Sequence, residues 1–449
     1  MKKNAASRSI FKPSRLISKF RRVRSQAVYL IWFHSKKFTF RSKKYRVKNY
    51  DSIVKNRRVY FTTGKFCRGF SDQLFAFKFL YSIGLNLNLK YYFTPLNAER
   101  SNNYYNSKNQ KTTSESIFNL LGINSYLERI SHNPAGSDIH RVDIDLDYFQ
   151  LREKNYQSFE DLIYELKARL YSFIHSKKTT LFYFRASPKT FFRFYRLAAA
   201  APDSDIDYRN LFMSYNRSAT GKPLFEPSDI KLLIHIRQGD TAVLETPWNT
   251  YVPVWYNIPG RFTQFKKIEE IQSTHIITLD DFYRFISSFL EHTNNKKFSS
   301  LLFSDGYKTA FRLIYQNSKK KDISDHELEW LKKIEANYDN EKYEKFRKFN
   351  GMKMIIGEEM EKLYDLIHSF IEADILVIGT QQIMIPKMVA MLSDPKNMPV
   401  LIVLYRSDKP HFEYLGLGPF CHHIVYVNIH DYDIHEITQK TMKILSLRG

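Results

Sequence analysis

Two α/β domains in tandem is the fold the sequence predicts, and three observations carry it. Short apolar strands alternate with amphipathic helices in both halves of the chain. The length of 449 residues exceeds what one hydrophobic core ordinarily fills. With 43% hydrophobic and 16% aromatic residues, the chain is too apolar for a disordered protein. The two cysteines, Cys67 and Cys421, lie far apart and form no disulfide framework, which fits a reducing compartment. No run reaches the roughly 18 apolar residues of a membrane span, and the segment from Ala27 to Phe33 is too short to cross one. A cytoplasmic location is therefore expected, at the inner face of a membrane if the basic tail binds there.

The net charge of +23 points first to a polyanion partner. Its distribution changes that reading. Residues 1–50 hold sixteen Lys or Arg and no Asp or Glu, so the rest of the chain carries only +7. Basic clusters flank the aromatic run Tyr29 to Phe33. The tail is expected to be either a solvated leader or a segment lying on an anionic membrane, each near-surface cation contributing about 1 kcal/mol. No apolar core followed by a small-residue cleavage site marks a secretory signal. Specific nucleic-acid binding is not expected.

From residue 51 to about 225 the first domain opens with a strand, Arg58 to Thr63. A polar turn, Gly64 to Gln73, leads into a helix over Leu74 to Leu85 and a strand over Leu89 to Phe93. This β-α-β order favours a parallel sheet with ligands at the carboxyl ends of its strands. A helix over Phe159 to Ile174 and an aromatic strand, Thr180 to Phe184, follow.

The second domain, 226–449, begins with the apolar strand Ile230 to Ile236. A helix over Leu279 to His292, a strand ending at Phe303-Ser304, and a helix over Lys308 to Gln316 come next. Residues 318–350 are charge-dense with few strand formers and read as a solvated helical insertion. Beyond it come a helix over Met360 to Glu372, a strand at Ile375 to Gly379, and a helix over Ile385 to Leu392. Strands at Val400 to Tyr405 and His423 to Val427 and a terminal helix from Ile434 close the chain.

Chemistry concentrates where three of these strands stop. The first delivers His235 and Arg237 to one face, two residues apart, before Gly239 turns the chain. An Arg beside a glycine suits a phosphate or pyrophosphate, because the planar guanidinium makes two parallel charge-assisted hydrogen bonds. Asp240 is a poor phosphate ligand and is expected to orient Arg237 or cap the loop. Ser304-Asp305-Gly306 ends a second strand and Gly379-Thr380-Gln381 a third. In a parallel sheet such ends converge on one edge, where helix N-termini point amides at anions. Ser304 and Thr380 can hydrogen-bond phosphate or ribose, and Asp305 a ribose hydroxyl or base edge. The competing account of Ser304-Asp305 is an N-cap for the next helix.

The ordered set His235-Ile-Arg237-Gln-Gly239-Asp240, Phe303-Ser-Asp305, Asp374 to Leu392, and Gly69-Phe-Ser-Asp72-Gln73-Leu-Phe resembles the motifs of the fucosyltransferase superfamily. That superfamily comprises α1,2-, α1,6- and protein O-fucosyltransferases, and the match runs over roughly residues 58 to 405. The resemblance implies a GT-B-like fold, two Rossmann-like domains facing across a cleft. It implies an inverting, metal-independent glycosyltransferase with no cofactor, using GDP-fucose as donor and a glycan or glycolipid hydroxyl as acceptor. Arg237 would contact the β-phosphate and stabilise the departing GDP. His235, Gly239, Ser304, Asp305, Gly379, Thr380 and Gln381 would line the donor site, and Gly69, Asp72 and Gln73 would face it from the other domain. The sequence departs from the pattern at Gln238, where a second Arg is common, and at Gly306, where a second Asp is common.

Two other readings remain open at this point: a GT-B enzyme using another nucleotide sugar, and a non-catalytic protein binding polyanions or membranes. The general base is unassigned, with Asp72, Asp240 and Glu245 as candidates by loop position. Asp143-x-Asp145-x-Asp147 and Asp203-x-Asp205-x-Asp207 contain the Asp-x-Asp spacing that holds a cation in metal-dependent transferases, yet water-exposed acids explain it more simply. His422, His423, His430 and His435 lack companion ligands for zinc.

Overall fold

The computed structural model describes residues 40–63, 70–94, 96, 117–131, 139–146, 156–174, 179–185, 197, 201, 206–215, 224–227, 230–238, 242–245, 250–253, 266–267, 277–293, 298–318, 324–357, 363–380, 384–406 and 422–448. Gly69, Gly239, Asp240 and Gln381, the two cysteines, and the tail up to residue 39 lie outside them.

In the first domain, helix α1 (Phe40–Asn56) leads to β1 (Val59–Thr63), α2 (Phe70–Asn86) and β2 (Lys90–Tyr91). After α3 (Ile117–Leu120) and α4 (Ile123–Ile130) come β3 (Ile139–Asp145), α5 (Phe159–Leu170), β4 (Thr179–Arg185) and α6 (Tyr208–Tyr215). The strands form a parallel sheet in the order β2-β1-β4-β3. All five residues of β1, Val-Tyr-Phe-Thr-Thr, are buried, so the strand is covered on both faces and its burial does not alternate. Helix α2 lies close on it at Gly84, where a Cβ would sit 2.2 Å from the Phe61 ring.

Helix α1 crosses the charge break at residue 50, so the packed domain begins earlier than composition alone marks it. It is held on α5 by Lys43 against Glu165 at 2.5 Å, by Lys167 on Asp51 at 2.8 Å, and by the fully buried Tyr50. A capping box, Ser158 with Asp161, starts α5.

The second domain runs β5 (Ile230–Ile236), β6 (Val243–Glu245), β7 (Thr250–Pro253), β8 (Lys266–Lys267), α7 (Leu279–His292), β9 (Phe298–Ser304) and α8 (Lys308–Ser318). It continues with α9 (Asp325–Tyr343), β10 (Met352–Ile356), α10 (Leu363–Glu372), β11 (Ile375–Gly379), α11 (Met384–Leu392), β12 (Val400–Tyr405), β13 (Ile424–Asn428) and α12 (Ile434–Ser446). Strands β6 to β8 form a small antiparallel sheet. The other six are all parallel, in the order β10-β9-β5-β11-β12-β13. Counted from β5, that is the 3-2-1-4-5-6 order of a doubly wound dinucleotide-binding sheet, with its switch point between β5 and β11. Two Rossmann-like α/β units in one chain make the fold GT-B-like.

The expected helical insertion is α9 followed by a 3₁₀ turn over Glu344–Lys348. Strand β10 was not legible. It is an edge strand whose residues are only partly buried, so Met-Lys-Met-Ile-Ile lacks the apolar continuity of β5 or β11.

Alternate residues of the central strands face two cores. Leu232, Ile234 and Ile236 belong with α7, α8 and α12. Leu233, Leu301, Phe303 and Ile378 belong to a core that continues through α10 and α11 into the first domain. The two units are thus joined by shared apolar burial, and the first domain covers one specific face of the second sheet.

Candidate functional site

The register aligns Ile236 with Ser304 and His235 with Ile378, so the carboxyl ends of β9, β5 and β11 stand side by side. Arg237, Asp305 and Thr380 therefore gather at one edge, as parallel pairing requires. Arg237 and Thr380 flank the switch point itself, and both are half-buried.

Helix N-termini at this edge divide sharply by charge. Helix α7 carries Asp280 and Asp281 in its first turn, and α12 is capped by Asp433 with Glu436 beside it. The amide of Tyr307, immediately before α8, donates to Asp339 at 2.8 Å. Helix α11, which follows β11 across the switch point from Arg237, has no acid in its first turn. An anion placed between Arg237 and the start of α11 meets positive partial charge on both sides.

The first sheet has its own switch point, between β1 and β4, and α2 begins after the loop that leaves β1. Lys387, in the first turns of α11, is 2% exposed and places its Nζ 4.0 Å above the ring of Phe75, in the first turns of α2. The two switch-point helices therefore abut near their N-termini, and the carboxyl edges of both sheets open onto a common region.

Several sequence-predicted residues serve this edge differently from the expectation. His235 is 5% exposed, stacked on Phe303 at 5.1 Å with 13° between the rings and edge-on to Phe370. It is part of the packed sheet face, not a group open to a ligand. Ser304 is fully buried; its Oγ meets the Tyr343 hydroxyl at 2.5 Å and accepts from the Gly306 amide at 3.1 Å. Its hydroxyl is committed to the strand end. Asp305 accepts from the Gln238 amide at 2.6 Å, so its carboxylate ties the end of β9 to the turn that carries Arg237. Through Oδ1, Asp305 positions that turn. Gln73 is 1% exposed in the first turn of α2, and Gly379 is buried.

Of the base candidates, Asp72 falls in α2 and Glu245 ends β6. On β3, Asp143 is bonded by Arg141 at 3.1 Å and Asp145 lies 3.8 Å from Arg185. Asp207 accepts from the Asn210 amide at 2.9 Å. Among the described residues no group of three or more His, Cys, Asp or Glu is placed to hold a metal ion.

Two charged residues at the edge were not singled out from the sequence. Lys387 has a signal in retrospect, as the sole charge between Thr380 and Leu392 in an otherwise apolar helix. Asp339 has none, being one acid among many on α9. Burial raises its carboxyl above the ordinary aspartate range, against the opposing pull of the Tyr307 amide and the Lys308 charge.

Beyond β12 the edge is closed by an ion pair. Arg406 donates to Asp281 at 2.6 Å, and Thr278 and Arg284 also donate to that carboxylate. Burial alone would raise Asp281, but Arg406 and Thr278 hold it below the usual range. A cavity of about 640 Å³ lies at the opposite, amino edge of the sheet, lined by Arg209, His368, Asp374 and Arg448 among others; none of the strand-end residues borders it.

No family model matches the sequence, and no curated protein matches it. Solved structures that align with it include UDP-forming α,α-trehalose-phosphate synthases of Burkholderia. That of B. xenovorans, in complex with glucose-6-phosphate, is 12% identical over 48% of this chain and 36% of its own length, with a TM-score of 0.25. The B. vietnamiensis enzyme is 9% identical over 92% and 72%, with a TM-score of 0.24. The B. multivorans enzyme is 10% identical over 87% and 92%, with a TM-score of 0.27. The chain thus spans about a third of the first of these. The fold assignment rests on the two parallel sheets and their strand orders.

Proposed function

We propose that this protein is a glycosyltransferase that moves a sugar, fucose from GDP-fucose, to a hydroxyl of a glycan or glycolipid, with inversion and without a metal. The observation that carries the reading is the switch point of the second sheet, where Arg237 at the end of β5 and Thr380 at the end of β11 stand beside the acid-free start of α11. That is where an open α/β sheet takes a nucleotide diphosphate. The sugar and its base follow from the motif resemblance.

In this reading the acceptor oxygen attacks the anomeric carbon as the bond from that carbon to the phosphate oxygen breaks, with the electron pair leaving on the diphosphate. The acceptor proton passes to a carboxylate base. Negative charge grows on the leaving oxygen, so a fixed guanidinium interacts more strongly with the transition state than with the ground state. Asp305 serves this step indirectly, by holding the Gln238 amide and hence the Arg237 turn.

Thermal denaturation with GDP, UDP and ADP tests the donor: GDP is expected to raise the midpoint most. Stabilisation by another nucleotide but not by GDP would remove the fucosyl assignment, and none by any would remove the nucleotide-sugar reading.

The basic segment up to residue 50 is proposed to rest on an anionic membrane. Helix α1 continues it with exposed Lys44 and Lys48 and with Tyr45 at 62% exposure. No helix among the described residues is long and apolar enough to cross a membrane. Sedimentation with phosphatidylserine vesicles should pull down the full chain and not a chain lacking residues 1–39; equal binding of both would end the proposal.

A further inference from the structure

We infer that the inserted helix α9 forms the wall of the donor pocket that reads the nucleobase, with Asp339 accepting N–H donors from the edge of a guanine. The inference rests on the nucleotide-sugar reading above and adds to it a residue and an element that the motif resemblance does not include.

Position comes first. The Arg237 turn is bonded to Asp305 through the Gln238 amide at 2.6 Å, and Tyr307, two residues further on, donates its amide to Asp339 at 2.8 Å. The Tyr343 hydroxyl, one turn along α9, meets Ser304 at 2.5 Å. Helix α9 is therefore anchored on the carboxyl end of β9, next to the strand that carries Arg237. From the switch point to the ends of β9 and β10 is two strand spacings, about 10 Å. A nucleoside whose phosphates sit at the switch point reaches that far. The other direction, over β12, is occupied by the Arg406–Asp281 pair.

The cradle around Asp339 is the second observation. Gly306 and Gly357, at the ends of β9 and β10, have φ of +62° and +66°, and a Cβ on them would stand 2.8 and 3.8 Å from Asp339 Oδ2. The two strand ends thus present no side chain around this carboxylate. Oδ1 is held by the Tyr307 amide, and Oδ2 is the oxygen that lies nearest Gly306 and Gly357. Desolvation raises this carboxyl above the ordinary aspartate range, against the pull of the Tyr307 amide and the Lys308 charge. Guanine offers two adjacent N–H groups on one edge, which two carboxylate oxygens can accept together.

The test separates recognition from helix anchoring. In Asp339→Asn the side-chain oxygen still accepts from Tyr307, but the other oxygen becomes a donor facing the base. Calorimetric titration of the full chain with GDP and with inosine diphosphate, which lacks the 2-amino group, should show the native protein binding GDP about ten-fold more tightly. The Asp339→Asn protein, shown to be folded by a single cooperative urea transition, should bind GDP about ten-fold more weakly and no longer distinguish the two. A native protein that binds both alike, or a variant that keeps the preference, overturns the inference and leaves the nucleotide-sugar reading standing. Binding of neither nucleotide to the native protein overturns both.

Discussion

Replacing Gly306 by alanine should destabilise the protein by about 3 kcal/mol, whereas the same change at Gly351 should cost about 1 kcal/mol. Both glycines have left-handed backbone, φ +62° and φ +76°. For either, left-handed alanine costs about 1–2 kcal/mol, partly offset by the less flexible unfolded chain, about 0.4–1 kcal/mol. At Gly351 a Cβ meets nothing within 4 Å, so backbone strain is the whole effect. At Gly306 it comes within 2.8 Å of Asp339 Oδ2 and 3.2 Å of its Cγ. A retreat of the carboxylate that breaks its Oδ1 bond to the Tyr307 amide adds the loss of a charge-assisted bond, about 1.5–3 kcal/mol. Urea unfolding followed by tryptophan fluorescence measures both variants, with Trp330 on α9 reporting on the insertion. In an Asp339→Ala background the Gly306→Ala cost should fall to that of Gly351→Ala. Equal losses for the two single variants, within 0.5 kcal/mol, would refute the contact and with it the anchoring of α9.

Arg237→Lys should fold normally and lose at least ten-fold in turnover of a nucleotide sugar, since a point charge cannot reproduce a two-toothed contact; unchanged turnover in a donor-cleavage assay would make Arg237 structural. Arg406→Met leaves the fully buried Asp281 carboxylate short of its main partner and should cost about 3 kcal/mol at neutral pH by urea unfolding. Asp281 is held below its unfolded value, so its contribution is present above about pH 4 and is lost as pH falls through the folded value. The gap between native and Arg406→Met proteins should therefore narrow toward pH 3, and a gap independent of pH would contradict the assignment. Tyr343→Phe removes one hydrogen bond from the buried Ser304 hydroxyl and should lower stability by about 1 kcal/mol; no change would show that this link does not hold the insertion.

The strand ends were readable because a parallel sheet covered on both faces favours strands that are largely apolar along their whole length. Ile230 to Ile236 and Ile375 to Gly379 stand out for that reason, and a charged or glycine-rich turn immediately after such a run marks a ligand edge. Edge strands escape this rule. Met352 to Ile356 is half-exposed and alternates a lysine with methionines, so it carries no comparable signal.

Composition, the repeated strand and helix pattern, and the placement of Arg237 and Thr380 at strand ends were determined by the sequence alone, because burial of a whole strand is written locally in its residues. Tertiary structure decided the rest. Strand order brings β11 beside β5 and makes the gap between them the switch point, though the two are far apart in the chain. It also turned His235 against Phe303, buried Ser304 under Tyr343, and brought Asp339 from a polar helix to the site edge. Those outcomes depend on which faces meet after the chain has folded, and a side chain's neighbours across a sheet edge are set by packing between distant segments, which no local pattern records.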